Sequence, residues 1–381
     1  MQDIVKLNPI SSKVNDILTN DKYNICDNSV NPIAILVRSF VMHEYAVQDS
    51  VVAVARAGAG VNNIPIPNMT AKGICVFNTP GANANAVKEL VICGLLLGSR
   101  KIYNAINWTQ NLPKDDELPK AVEKGKKAFI GPEIYGKTLG IVGLGAIGRL
   151  VADAALALGM NIIGYDPFLT DAAKKLLNPN VTVVTNLDDI YANADYITLH
   201  VPATNDTKGF INKDSIAKMK DGVVIINCAR GELFNDADLL DAVNAGKVAR
   251  VITDLPNKNL TGHDNIVTFP HLGASTPEAE DNCAVMAANE LKEFIENGNV
   301  VNSVNFPCLK VAKIGERVTV LANTANAVEE ATAIVSKAAT IKATNSAVRG
   351  DLTYIIFDLD KKVDDDTIKT LNDKFVKARL I

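Results

Sequence analysis

The stretch from Leu139 to Asp166, LGIVGLGAIGRLVADAALALGMNIIGYD, constrains the fold more than any other part of the chain. Leu139-Gly140-Ile141-Val142 is a short apolar run of the kind a buried parallel strand needs. Gly143-Leu144-Gly145-Ala146-Ile147-Gly148 follows at once, then a helical apolar pattern through Leu150, Val151, Ala154, Ala155 and Leu158 that breaks at Gly159. A second strand, Asn161 to Tyr165, ends at Asp166. This order of strand, glycine turn, helix, strand and acid is a dinucleotide-binding βαβ unit. Gly143 permits the tight turn, Gly145 lets the backbone approach a pyrophosphate, and Gly148 lets helix and strand pack closely. The helix N-terminus offers unpaired N–H groups and a partial positive charge to the phosphates. Asp166 stands where an acid accepts hydrogen bonds from the ribose hydroxyls and repels a 2′-phosphate, so the expected cofactor is NAD.

A chain of 381 residues with 48% hydrophobic content accommodates two or three domains with substantial cores. Its net charge of −4, without a long basic run, argues against nucleic acid or an anionic membrane as partner. The six cysteines (Cys26, Cys75, Cys93, Cys228, Cys283, Cys308) form no CxxC pair, which suits reduced thiols in a cytoplasm and no metal site. The first thirty residues do not resemble a signal peptide, and no apolar run is long enough to predict a membrane span.

Three further strands, Ile33–Val37, Val51–Ala55 and Ile74–Asn78, each end in a loop rich in glycine or hydrogen-bonding residues. Backbone N–H groups around Gly58 to Gly60, helped by Arg38, make a plausible anion site, with ordinary βα turns as the alternative. Ala84 to Lys101 reads as a long helix, and residues 103–137 as a helix plus connecting arm whose Trp108 suits either an interface or internal packing. Beyond Asp166 the strands Val181–Val184, Asp195–Pro202, Val223–Asn227, Ala249–Thr253 and Ile266–Phe269 alternate with helices, implying a parallel, doubly wound sheet. Their ends deliver Arg230, Asp254 and His271 to one face. Arginine suits bidentate binding of a carboxylate, and histidine suits proton transfer near neutral pH. A helix from Pro277 to Asn297 and an element over Val300–Phe306 would return to the first domain. Residues 310–381 read βαββαβ, the order of a ferredoxin-like module. The expected fold class is thus α/β: two doubly wound Rossmann-like domains, the first discontinuous (1–83 and 278–309, then 84–277), followed by this module.

The segments VRS (37–39), RAGAGVNN (56–63), FNTPGANANAVKELV (77–91), GLGAIG (143–148), YDP (165–167), LHVPAT (199–204), NCARGEL (227–233), PHLGAST (270–276) and NSVNFP (302–307) occur in the order found in D-2-hydroxyacid dehydrogenases. The chain resembles that family, and within it the branch acting on 3-phospho-D-glycerate with a C-terminal ACT-like module. The resemblance implies NAD-dependent oxidation of a phosphorylated 2-hydroxy acid to the 2-oxo acid, the entry to serine synthesis, by a homodimer or homotetramer. It implies that Arg230 binds and polarises substrate and that His271 is the acid/base. Cofactor contacts would come from Gly143, Gly145, Ala146, Ile147, Gly148, Asp166, His200, Val201, Pro202, Thr207, Cys228, Ala229, Arg230, Asp254, His271, Gly273 and Ala274. Substrate contacts would come from Arg38, Ser39, Ala57, Gly58, Ala59, Gly60, Asn83 and Arg230. An unphosphorylated substrate, or a non-catalytic NAD-sensing role, stands as the alternative.

Two departures from the pattern matter. The family usually carries a glutamate five residues after the aspartate at the Asp254 position, where this chain has Asn259. That glutamate would steady the protonated histidine. His271 then acts alone or through water, or Lys258 reaches the site as a modifying cation, or another acid such as Asp264 substitutes; a His271-centred site with Lys258 is the favoured expectation. The C-terminal run Leu321-Ala322-Asn323-Thr324-Ala325-Asn326 lacks the histidine, proline and glycine of serine-binding ACT modules, so weak or absent serine inhibition is expected.

Overall fold

A computed structural model describes residues 1–381. The chain divides into two compact units, one of Met1–Asn83 with Pro277–Ile381, the other of Ala84–Thr276.

In the first unit, β1 (Gln2–Lys6), β2 (Tyr23–Cys26), β3 (Ala34–Val37), β4 (Ala53–Arg56) and β5 (Cys75–Asn78) form a parallel sheet in the order β2-β1-β3-β4-β5. Ile4, Leu36, Ala53, Ala55 and Phe77 pack against Ala284, Ala287, Leu291 and Phe294 of the helix Pro277–Asn297, whose alanines let it lie close to the sheet. This helix has the bounds its sequence predicts. The strands β1 and β2, QDIVK and YNIC, are too short and too mixed in polarity to stand out as apolar runs.

The second unit holds β6 (Thr138–Val142), β7 (Asn161–Tyr165), β8 (Val181–Val184), β9 (Tyr196–Leu199), β10 (Val223–Asn227), β11 (Val248–Thr253) and β12 (Ile266–Thr268). All pairings are parallel, in the order β12-β11-β10-β9-β6-β7-β8. Strand order reverses between β6 and β9, the position where open α/β sheets hold their ligands. The fully buried run Val223-Val224-Ile225-Ile226-Asn227 of β10 is what a strand covered on both faces requires. The helix after residue 84 ends at Ser99, two residues before its expected end. The arm contains the helices Ile102–Gln110 and Leu118–Gly125, and Trp108 lies half-buried with its ring centroid 5.2 Å from that of Phe129.

The C-terminal part of the first unit contributes β13 (Glu316–Ala322), β14 (Ile341–Arg349), β15 (Leu352–Leu359) and β16 (Lys377–Leu380), an antiparallel sheet ordered β14-β15-β13-β16. With the helices Ala327–Val335 and Asp365–Lys374 this is the ferredoxin-like pattern. Alternation sets its two faces apart. Val318, Val320, Ile355 and Phe357 pack with the module's own helices, whereas Leu321, Tyr354 and Ile356 join the core of the five-stranded sheet. The Tyr354 hydroxyl donates to the Gly298 carbonyl at 2.7 Å. Between residues 300 and 306, where a further element is expected, only isolated bridges form, Phe77 with Ser303 and Val300 with Leu309. No helix is long and apolar enough to cross a membrane.

Candidate active site

Register in the seven-stranded sheet places the chemistry. Val142 pairs with Leu199, Leu199 with Asn227, Asn227 with Thr253, and Thr253 with Thr268, so five strands run level where their side chains give way to loops. Tyr165 of β7 lies level with Val142 on the other side. The next residues, Gly143, Asp166, His200, Cys228 and Asp254, therefore stand along one carboxyl-end edge.

The glycine turn is sterically determined. Gly143 has φ +96°, and a Cβ there would lie 2.5 Å from the His200 carbonyl oxygen. A Cβ on Gly148 would lie 2.0 Å from the Gly143 carbonyl oxygen. Gly145 differs: it caps the helix Ala146–Ala157, and a Cβ there meets nothing within 4 Å. Open space at Gly145, beside a helix N-terminus, is the cradle a pyrophosphate requires. The Asp166 carboxylate ties the turn down, accepting the Leu144 N–H at 2.9 Å and the Phe168 N–H at 2.9 Å, and each oxygen retains a further acceptor site. These residues fit a dinucleotide. His200 lines the neighbouring loop: Nε2 lies 3.1 Å from Thr198 Oγ1, Nδ1 is buried without a partner, and burial pushes its pKa down to about 3, so the ring is neutral. Thr207 closes the loop after Val201, accepting the Thr204 N–H and donating to the Pro202 carbonyl at 2.6 Å.

Past β10 the buried Asn227 organises the chain. Its Oδ1 accepts from the amides of Ala229 (3.0 Å) and Arg230 (3.3 Å), and its Nδ2 donates to the Arg230 carbonyl at 2.8 Å. Thr253 Oγ1 donates to the Asn227 carbonyl, locking β10 to β11. Burial raises the Cys228 thiol pKa, so this residue is a neutral wall. Asp254 is 1% exposed; its Oδ2 accepts the Gly273 N–H at 3.1 Å and its Oδ1 is unpartnered. Burial raises the Asp254 pKa, opposed by the Gly273 amide and by the charges of His271 and Arg230. Thus Arg230, Asp254 and His271 share one electrostatic neighbourhood. Asp254, His271 and Asn257 line a cavity of about 580 Å³ with Glu232 and Asp236. Lys258 is exposed and absent from that lining; Asp264 is likewise exposed and absent. Asn259 donates to Asp236 Oδ2 at 3.0 Å.

In the first unit, Val37, Arg56 and Asn78 are level across β3, β4 and β5, which brings Arg38, Ala57 and Thr79 to one edge. Arg38 is held at its amide by Asn8 Oδ1 and pairs through Nη2 with Glu280 at 2.6 Å. Ser39 accepts a long hydrogen bond from Asn8. The Asn78 side chain donates to the Ala59 carbonyl at 2.6 Å, and Gly58 accepts the Thr79 N–H, so the Ala57–Gly60 loop is braced from β5. Asn83 is half-buried at the end of this segment.

Asn227 and Asp236 escape sequence reasoning. A buried asparagine ending a strand gives no periodic signal, and an acid in the first turn of a helix is ordinary capping chemistry.

Residues 96–273 match the family described as D-isomer specific 2-hydroxyacid dehydrogenase, NAD binding domain. A D-3-phosphoglycerate dehydrogenase of Methanocaldococcus jannaschii is 38% identical over 269 residues, 69% of this chain and 49% of that protein. One from Bacillus subtilis is 37% identical over 262 residues, 67% of this chain and 47% of that protein. The chain thus spans about half the length of the curated relatives it matches. Among solved structures, NAD+-bound 3-phosphoglycerate dehydrogenase of Entamoeba histolytica superposes with a TM-score of 0.64 at 28% identity, covering 80% of this chain and 98% of that one. A glyoxylate reductase from Paecilomyes thermophila gives 0.66 at 27%, with the same coverage. Residues 96–273 are thus an NAD-binding domain of the D-isomer-specific 2-hydroxyacid dehydrogenase family.

Proposed function

We propose that the chain is an NAD-dependent dehydrogenase that oxidises 3-phospho-D-glycerate to 3-phosphohydroxypyruvate, the first step of serine biosynthesis. The observation that carries this reading is the grouping of Arg230, Asp254 and His271 at the sheet edge that also bears the glycine cradle. Relatives named for that activity support the choice of substrate.

In this reading the guanidinium of Arg230 holds the substrate carboxylate through a two-pronged contact and draws electron density from the reacting carbon's oxygen. His271 takes the hydroxyl proton and passes it to solvent. NAD+ supplies the hydride acceptor. Asp166 would hold the adenosine ribose, the Ala146–Ala157 helix terminus the pyrophosphate, and neutral His200, Cys228 and the Val201–Thr207 loop the walls around the cofactor. Arg38, Ser39, Ala57–Gly60 and Asn83 are proposed as an anion-binding edge of the first unit. A homodimer or homotetramer and a cytoplasmic location belong to the same reading.

The test compares NAD+ reduction by 3-phospho-D-glycerate and by D-lactate. A clear preference for the phosphorylated acid supports the assignment. Equal rates refute the phosphate specificity, and absence of reduction with any 2-hydroxy acid, while NAD still binds, favours the sensing role.

A further inference from the structure

In the second unit, at the amino-end edge of the seven-stranded sheet, a buried cation stands without a counter-charge. Arg250 of β11 is 8% exposed, and no carboxylate pairs with it. Its single hydrogen bond runs from Nη1 to the Leu97 carbonyl at 3.3 Å, which leaves most of a five-donor fork without an acceptor. Burial pushes the Arg250 pKa down, yet a guanidinium stays charged at neutral pH. A buried charge is ordinarily matched by an opposite one, because desolvating it alone is costly.

Strand register builds the surroundings. Tyr196 of β9, Val224 of β10 and Arg250 of β11 are level, so their side chains project from one face. The register of β10 on β11 slips by one residue after Val223, and this bulge brings Arg250 rather than Ala249 opposite Val224. Val224 is short and forms a floor between two long polar side chains. The helix Ala84–Ser99 ends over the same face: a Cβ on Gly98 would lie 2.7 Å from Val224 Cγ1. The space left is a cavity of about 250 Å³, lined among others by Ser99, Lys137, Asp195, Tyr196 and Arg250, with Lys137 exposed. Tyr196 is 3% exposed and its hydroxyl has no partner in the protein. Burial raises its pKa, the Asp195 charge adds to this and the Arg250 charge opposes it, so a neutral hydroxyl donor stands near the guanidinium. Asp195 does not supply the missing charge, because its Oδ2 accepts the Thr138 N–H at 2.8 Å and its Oδ1 pairs with Lys220 at 3.0 Å.

We propose that this cavity binds a small oxyanion of the phosphate class, with the Arg250 fork and the Tyr196 hydroxyl donating to it and Lys137 adding positive charge. At about 250 Å³ the space is below the roughly 300–1,000 Å³ of sites for drug-sized ligands, so it takes inorganic phosphate or a phosphate monoester of a few carbons and excludes a dinucleotide. The site lies at the opposite end of the strands from His200, Cys228 and Asp254, and its occupancy does not depend on the dehydrogenase reading.

The test is isothermal titration calorimetry of the full chain with inorganic phosphate, at saturating NAD+ so that the glycine cradle is closed to it. Saturable binding is expected for the unsubstituted chain. It weakens at least about tenfold in R250M and severalfold in Y196F, and it persists in R38M, which removes the cation at the edge of the first unit. R250K keeps the charge without the fork and falls between. Phosphate also raises the melting temperature of the unsubstituted chain and not that of R250M. Glycerol 3-phosphate, titrated in the same way, separates the two sources of the group: tighter binding than phosphate assigns an ester, weaker binding the free anion. Absence of saturable phosphate binding overturns the proposal, as does binding by R250M equal to that of the unsubstituted chain, which would leave Arg250 a cap on the Leu97 carbonyl. Should R250M fail to fold, Y196F and R250K decide: weakened binding supports the site, and unchanged binding in both overturns it.

Discussion

Asn227 grips Arg230 from both sides of the residue, accepting its N–H at 3.3 Å and donating to its carbonyl at 2.8 Å. The backbone of Arg230 is therefore held by a polar side chain that is 0% exposed. The Arg230 guanidinium also donates to the Ala229 carbonyl at 2.6 Å, which folds its stem back along the same turn.

Replacing Asn227 by alanine unpairs the Ala229 and Arg230 backbone groups, at a cost of about 1–3 kcal/mol. If that cost falls on the position of Arg230, kcat/KM drops about tenfold to a hundredfold while NAD affinity is retained. Steady-state kinetics with separate cofactor titration checks this. A lower melting temperature with unchanged kcat/KM would make Asn227 purely structural.

The second and third glycines of the turn should respond in opposite ways. Gly148→Ala forces a Cβ to within 2.0 Å of a carbonyl oxygen and is expected to lower thermal stability sharply. Gly145→Ala meets no atom within 4 Å and is expected to leave the melting temperature within about one or two degrees, yet to weaken NAD binding by filling the cradle. Calorimetry with NAD, beside thermal melts, separates the two effects.

Much of this architecture is legible in the sequence because its signals are local. Glycines at fixed spacing, the four-residue apolar run Leu139–Val142 and Asp166 identify the central βαβ unit without tertiary information. The strands β1 and β2 are not legible, because Gln2, Asp3, Lys6 and Asn24 dilute their apolar pattern and pairing alone makes them strands. The C-terminal module reads correctly as βαββαβ, but its burial does not. Leu321, Tyr354 and Ile356 alternate with the residues under the helices, and only the folded unit shows that both faces are covered. Arg230 and His271 are visible as strand-end residues, whereas Asn227 acts through three-dimensional neighbours that no spacing encodes. Asn259 is visible as a departure, but its new partner is not.

Glu290 lies 4% exposed in the helix Pro277–Asn297, with Oε1 accepting from Asn302 at 2.7 Å and Oε2 unpartnered. Burial raises its pKa to about 8, partly opposed by the Asn302 amide. The folded state keeps the proton that the unfolded state gives up, so this residue's contribution to stability is complete below about pH 4.5. It declines as pH rises toward 8 and levels off above that. Glu290→Gln removes the dependence. Its melting temperature is expected to exceed that of the unsubstituted chain at pH 8, with the difference shrinking toward pH 5. A constant difference across that range would contradict the raised pKa.

Arg317 and Asp358 form a fully buried pair at 2.8 Å, and the guanidinium also reaches the Asn297 and Ala312 carbonyls at 2.6 and 2.9 Å. Arg317→Met strands a buried carboxylate and is expected to destabilise the first unit by about 3–5 kcal/mol, read by denaturant unfolding. The double substitution Arg317→Met with Asp358→Leu recovers most of the loss. Failure of the double variant to recover would show that the backbone contacts dominate.

The central claim is that Arg230 makes this sheet edge a dehydrogenase site. Its most direct test is NAD+ reduction, followed by nicotinamide absorbance, with 3-phospho-D-glycerate for the unsubstituted chain and for Arg230→Lys. Lysine keeps the charge but loses the planar fork. The account predicts turnover by the unsubstituted chain and a fall in kcat/KM of at least about a hundredfold in the variant, with NAD affinity preserved. Equal turnover by the two proteins would contradict it.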